Sequence, residues 1–357
     1  MLRLQSAWTA KLPAAPAAWP TVAGDAAYVA LRNESVVAVS LASGSTLWVH
    51  PSGALYPPVT DGERVYLLGK EAVEAVAVAG GDPVWTTPLD SPPSMTPYVV
   101  AGWLFVATQS GDVLALRADG GDRVWTRSVG AAARAAAVSG SRVFFGLNDG
   151  RVVALSVETG DAVWEARADG PITGLHVAGD RVYAGSDDNF FYCFTADRGR
   201  LDWRVRTGAD VIGSAVSDER QVYFVSLDTL LRALDRRTGV QRWKRALPAR
   251  PLSGPVVVGP LIVVPGLMSE VRAYRATTGE LAGRAPLGVD LAAPPLVVES
   301  TIPQLNRFLV LTEDGRLSLL EEHVEPPLVP LTKLPGLTVP PTEPPSSLPR
   351  APGRVPR

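Results

Sequence analysis

The side chains able to do chemistry are few and scattered. Cys193 is the single cysteine, so neither an intrachain disulfide nor a vicinal cysteine pair can form. A lone thiol could act as a nucleophile, but position 193 aligns with Ala38, Ala75, Ala115, Ala154, Ala233 and Ala273. That alignment points to a small buried residue in an alanine slot. His50, His176 and His323 lie far apart, and none has the H-x-x-x-H or H-E-x-x-H spacing that turns two imidazoles toward one zinc ion. Asp187-Asp188-Asn189 and Asp314-Gly315 offer carboxylates for calcium, but no EF-hand-like loop accompanies them. Both runs fall between strand candidates and read as solvated turn residues. A Ser–His–Asp arrangement stays open, yet no G-x-S-x-G elbow presents a serine. Ala79-Gly80-Gly81-Asp82 lacks the following helix that would make it a phosphate cradle. The sequence therefore assigns no catalytic, cofactor-binding or metal residue, and leaves partner-binding residues unassigned.

The elements that would position such groups are announced by tryptophan. After Trp8, tryptophans recur at Trp48, Trp85, Trp125, Trp164, Trp203 and Trp243, in steps of 37 to 40 residues. A fixed period of this size marks a repeat architecture. A glycine stands four residues before each of the six (Gly44, Gly81, Gly121, Gly160, Gly199 and Gly239). A seventh step, Gly279 to Gly283, keeps the period with glycine in the tryptophan slot. Each repeat holds four short strand candidates; in the fourth they span 135–138, 142–146, 151–157 and 162–166. Asn148-Asp149-Gly150 joins the second and third, a turn expected to carry two positive φ angles. Glu158-Thr159-Gly160-Asp161 joins the third and fourth, with glycine as the left-handed residue.

A four-stranded sheet cannot bury both faces alone, whereas a closed ring gives each sheet two neighbours. The expected fold is therefore all-β: an eight-bladed propeller of four-stranded antiparallel blades over residues 1–322. The eighth repeat supplies three strands before the chain runs into proline. Its fourth is expected from the N-terminus, where residues 2–10 carry Trp8 forty positions before Trp48. Residues 323–357 form a separate proline-rich tail, eleven of the last 34 residues being proline, and are expected to be extended and disordered. Their P-x-x-P spacings read as a spacer more readily than as a peptide ligand.

With 46% hydrophobic and 20% charged residues and a net charge of −2, the composition is that of an ordinary globular domain. It offers no basic stripe for nucleic acid, and no apolar stretch approaches the roughly 20 residues a membrane span needs.

The segment Ala233-Leu234-Asp235-Arg236-Arg237-Thr238-Gly239-Val240-Gln241-Arg242-Trp243 matches A-x-D-x-x-T-G-x-x-x-W in full. It resembles the repeat of PQQ-like, quinoprotein-type β-propellers, with looser copies at 38–48, 154–164 and 273–283. In size and blade count the chain is most similar to the BamB family, propeller lipoproteins of the bacterial outer-membrane β-barrel assembly machinery. That resemblance implies a non-catalytic scaffold, monomeric by itself, that docks a protein partner, in that family a periplasmic domain of BamA. It also implies a cell-envelope location, although the N-terminus shows no signal peptide and no lipobox cysteine; read from Met1 as the true start, the chain would be cytoplasmic. The alternatives of a different class are a propeller that senses a small ligand and a degenerate PQQ-dependent dehydrogenase. Quinoprotein dehydrogenases use a vicinal cysteine pair over the quinone and a carboxylate-held calcium, and no cofactor is expected here.

Overall fold

Each forty-residue repeat folds into one four-stranded antiparallel sheet, and eight such sheets make up the described chain. The computed structural model describes residues 4–264, 270–286, 291–293, 295–298 and 307–322. Blades 1 to 7 span residues 21–51, 59–88, 98–128, 133–167, 172–206, 211–246 and 256–286. In blade 4 the strands are Ala133–Ser139, Arg142–Leu147, Arg151–Ser156 and Ala162–Arg167, one or two residues longer at some ends than the sequence pattern indicates.

Blade 8 takes Leu296–Val298, Arg307–Leu311 and Arg316–Glu322 from the end of the domain and Leu4–Lys11 from its beginning. The N-terminal strand runs antiparallel to the third strand with Trp8 opposite Leu319 and Thr9 opposite Ser318. The hydroxyls of Thr9 and Ser318 are 2.9 Å apart, 309 residues distant in sequence. The expected closure is observed, and it gives the eighth blade its fourth strand. The proline-rich segment lies outside the described residues.

Alternation along the two central strands explains the ring. In blade 2, Val65 and Leu67 pack toward blade 1 while Tyr66 and Leu68 pack toward blade 3. Every central strand is thus apolar on both faces, and each of the eight seams has its own buried cluster. At the seam of blades 5 and 6, the Phe191 and Phe224 rings stack with centroids 4.0 Å apart.

The tryptophans staple these seams in one direction. The Trp125 ring lies over Gly160 of the next blade, where a Cβ would sit 2.7 Å from its ring carbons. Its Nε1 donates to the Val157 carbonyl at 2.9 Å. Trp8, Trp48, Trp85, Trp164 and Trp243 repeat both contacts one blade on. Trp203 covers Gly239, but its buried Nε1 has no hydrogen-bond partner among the described residues. The periodic glycine therefore does two jobs: it takes the left-handed conformation (Gly160 φ 70°) and it clears a floor for the preceding blade's tryptophan. The alanine slot has a matching cause, because Ala154 stands directly opposite Trp164 in the ladder, and Cys193 opposite Trp203. Gly283 fills the tryptophan slot of blade 7, where no staple is needed. Blade 8 takes its fourth strand from the N-terminus, so it has no third-to-fourth turn for a ring to cover.

One local expectation is corrected. The Asn148-Asp149-Gly150 turn carries a single positive φ, at Gly150 (90°), with the Gly150 N–H donating to Leu147 O. It is a turn closed by one left-handed residue and not a doubly left-handed one. Because one such position suffices, blades 1, 5 and 6 fill it with Glu34, Asn189 and Thr229.

Candidate functional site

The reactive side chains are engaged structurally. Cys193 is fully buried between blades 5 and 6, and burial pushes its thiol well above the usual range. His50 Nε2 lies 3.0 Å from Glu74 Oε1, linking blades 1 and 2. His176 Nε2 lies 2.9 Å from Ser217 Oγ across the blade 5–6 seam, and burial, aided by the Arg236 charge, lowers its pKa. His323 lies outside the described residues.

The acidic run of blade 5 departs from the expected solvated turn. Asp188 Oδ2 accepts from the N–H groups of Asp169 and Gly170, both at 3.0 Å, and from the Tyr192 hydroxyl at 2.7 Å. The carboxylate thereby clamps the linker between blades 4 and 5. Asp187 pairs with Arg134 at 2.7 Å, and Asp314 with Arg316 at 3.0 Å. In blade 6, Asp228 makes the same kind of clamp on Gly208 N at 2.9 Å and is backed by the buried Arg232. Among the described residues, no three His, Cys, Asp or Glu side chains converge to hold a metal ion. A calcium-assisted quinone does not fit this donor set: the vicinal thiols are missing from the sequence and the one thiol is packed inside a seam.

Two clefts open on the face that carries the first-to-second and third-to-fourth turns. One, of about 710 Å³, lies between blades 3 and 4 and is lined by Val100, Trp103, Arg117, Val124, Val138 and Glu158. Trp103 begins the second strand of blade 3, the place held by Arg64, Arg142 and Arg181 in blades 2, 4 and 5. The Arg117 guanidinium lies 4.3 Å from its ring centroid. Trp103 and Trp19 are the two tryptophans outside the period, and the periodic signal conceals them. Trp19 is 42% exposed and lines a smaller cleft beside Arg32.

The other cleft, of about 760 Å³, spans blades 5 to 7 and is walled by arginine. Arg181 is paired with Asp180 and Asp202, and Arg242 with Asp235, whose carboxyl it holds down at about 2. Arg236 donates to the carbonyls of Asp218 (2.7 Å) and Ala178 (3.0 Å). Neither cleft is legible from net charge or from a short motif; each assembles residues from neighbouring blades.

The arrangement offers recessed, mixed-polarity surfaces on a rigid ring. Among the described residues it offers no Ser–His–Asp triad, because no carboxylate pairs with the imidazole that meets Ser217. Comparison with known families gives a match to the family described as outer membrane protein assembly factor BamB, over residues 32–174 and 168–306. No curated protein gives a match. Among solved structures, BamB from Moraxella catarrhalis is similar at 20% identity and a TM-score of 0.72, covering 89% of this chain and 99% of that one. The quinohemoprotein alcohol dehydrogenase ADHIIG from Pseudomonas putida HK5 also has a TM-score of 0.72, at 14% identity, covering 92% of this chain and 78% of that one. Sqt1 from Saccharomyces cerevisiae reaches 0.74 at 10% identity, covering 90% and 98%. At such identities these structures share the fold, and a redox enzyme and BamB share it alike. The match that spans most of the repeats is the more specific finding, and by it the chain belongs to the BamB family of PQQ-like β-propellers.

Proposed function

We propose that this propeller is a non-catalytic docking scaffold that serves outer-membrane β-barrel assembly at the cell envelope. The observation that carries the reading is the assembly-factor match across residues 32–306. The engaged state of Cys193, His50, His176 and the acidic turns supports it, since each is committed to a structural contact. The cleft at Trp103 and Arg117 supports it too, because tryptophan and arginine in a recess are the residue types that anchor protein interfaces.

The test is calorimetric titration of the purified chain with the periplasmic region of a BamA-type partner from the same cell. A saturable one-to-one complex, weakened by Trp103→Ala, is expected. Absence of that complex, together with stoichiometric PQQ uptake in calcium and dye-reducing turnover, would overturn the scaffold in favour of a quinoprotein.

A further inference from the structure

Charge is distributed unevenly round the ring. Blade 6 (residues 211–246) carries seven Lys and Arg against four Asp and Glu, in a chain whose net charge is −2. Blade 2 (residues 59–88) has the reverse balance, two against five. The seam clusters run in blade order, so blades 2 and 6 stand opposite each other among eight. The ring therefore has a positive side and a negative side, and an approaching charged partner is steered accordingly.

The positive side has a recess. Five arginines line the cleft of blades 5 to 7, against Asp180, Glu219 and Asp235. Arg181 and Arg242 are neutralised by their carboxylate partners, whereas Arg236 donates to two carbonyl oxygens and lies near the Tyr183 hydroxyl and the Asp218 carboxylate. Among the described residues, the side chains of Arg220 and Arg237 make neither an ion pair nor a hydrogen bond; only backbone groups of these two residues are bonded. Of the carboxylates nearby, Asp218 is committed to the Tyr223 hydroxyl at 2.5 Å and Asp202 to Arg181 at 3.0 Å. Lys244 extends the positive surface along the exposed outer strand of the same blade.

From this juxtaposition we propose that the cleft of blades 5 to 7 docks an acidic peptide segment of a protein partner, with Arg220 and Arg237 as its carboxylate-binding residues. Guanidinium groups present paired donors that match carboxylate geometry. An extended acidic segment also suits a row of separated guanidiniums better than a single compact anion does. The proposal rests on the docking reading only for its premise that the partner is a protein.

The test uses the full chain and a fluorescein-labelled peptide of alternating Glu and Gly, with the Gln–Gly peptide as the neutral control. Anisotropy should show saturable binding of the acidic peptide, no binding of the neutral one, and weakening as salt rises from about 50 to about 500 mM. Arg220→Glu with Arg237→Glu should weaken binding by at least about tenfold. Arg220→Gln with Arg237→Gln should weaken it less, while Lys70→Glu on blade 2 leaves it unchanged. Melting curves establish that each variant is folded. Equal loss with Lys70→Glu would overturn the assignment, as would binding of anionic phospholipid vesicles without the peptide. Self-association abolished by the Arg220 and Arg237 variants, with no peptide bound, would overturn it in favour of a second copy. Loss of the BamA-type complex with peptide binding intact refutes the assembly role alone.

Discussion

Replacing Gly160 by alanine tests the double role assigned to the periodic glycine. Its φ of 70° costs an alanine about 1–2 kcal/mol in the left-handed region. The added Cβ would also meet the Trp125 ring at 2.7 Å, where ordinary carbon contacts are about 3.5–4.0 Å. The ring must move by roughly 1 Å, and a Trp→Ala deletion costs about 3–5 kcal/mol. Losing half of that packing adds about 2 kcal/mol, so Gly160→Ala is expected to destabilise by about 3–4 kcal/mol. Gly140 is the control within the same blade: its φ is 57°, but nothing lies within 4 Å of the place its methyl group would take. Gly140→Ala should cost only the backbone share, about 1–2 kcal/mol. Urea unfolding followed by circular dichroism reads both. In the Trp125→Ala background the two alanine substitutions should become equal, because the ring that distinguishes them is gone. If they are equal in the parent chain, or if the double-mutant cycle shows no coupling, the glycine is kept for its backbone alone.

Four further outcomes are expected. Deleting residues 1–10 removes the Trp8 staple on Gly44 and the outer strand of blade 8, and should destabilise the domain by at least about 5 kcal/mol in thermal and urea unfolding. Deleting Val324–Arg357 should shift the melting temperature by no more than about 2 °C. Cys193 should resist a thiol reagent in the native protein at pH 8 and react only on unfolding, since burial raises its pKa; fast stoichiometric labelling would contradict this. Burial alone would raise the Asp228 carboxyl, but hydrogen bonds from Arg232, Ser226 and Gly208 N hold it down at about 2. A depressed folded pKa stabilises above the unfolded value of about 3.9, and that stability is lost as pH falls toward 2. Asp228→Asn should therefore cost about 2 kcal/mol at pH 7, and the gap to the parent should close between pH 4 and pH 2.

The fold is legible because its signal is periodic and each repeat reports it independently. Trp48 through Trp243, the Gly279–Gly283 step and the three strand candidates after it give the blade count, and Trp8 gives the closure, from the repeat pattern. What spacing cannot give is the partner of each contact. Gly160 precedes Trp164 by four residues, yet the ring it supports is Trp125 of the blade before, a pairing that exists only once the sheets stack. The turn at Asn148 differs from expectation for a related reason, since Asn, Asp and Gly suit several turn types and the ladder's twist selects among them. The clefts are illegible from sequence. Trp103 breaks the period and so carries no repeat signal, while Arg220, Arg237 and Arg181 come together only through the packing of blades 5 to 7. Net charge hides them because blade 2 balances blade 6.

The closing strand has a consequence for how the protein is made. Leu4–Lys11 is synthesised before blades 1 to 7, but its ladder partner Arg316–Glu322 is synthesised after them. At 5–20 residues per second, roughly 15–60 s of synthesis separate the two. Throughout that interval the first strand has no ladder partner, and the growing stack of blades has an uncovered apolar face at each end. Uncovered apolar faces and an unpaired strand are the surfaces through which nascent chains associate wrongly with one another. Trp8 cannot reach its place over Gly44 in a completed seam until blade 8 arrives. The ring's final stability thus accrues in one late step, and its yield in the cell should depend on what protects the N-terminal strand until then.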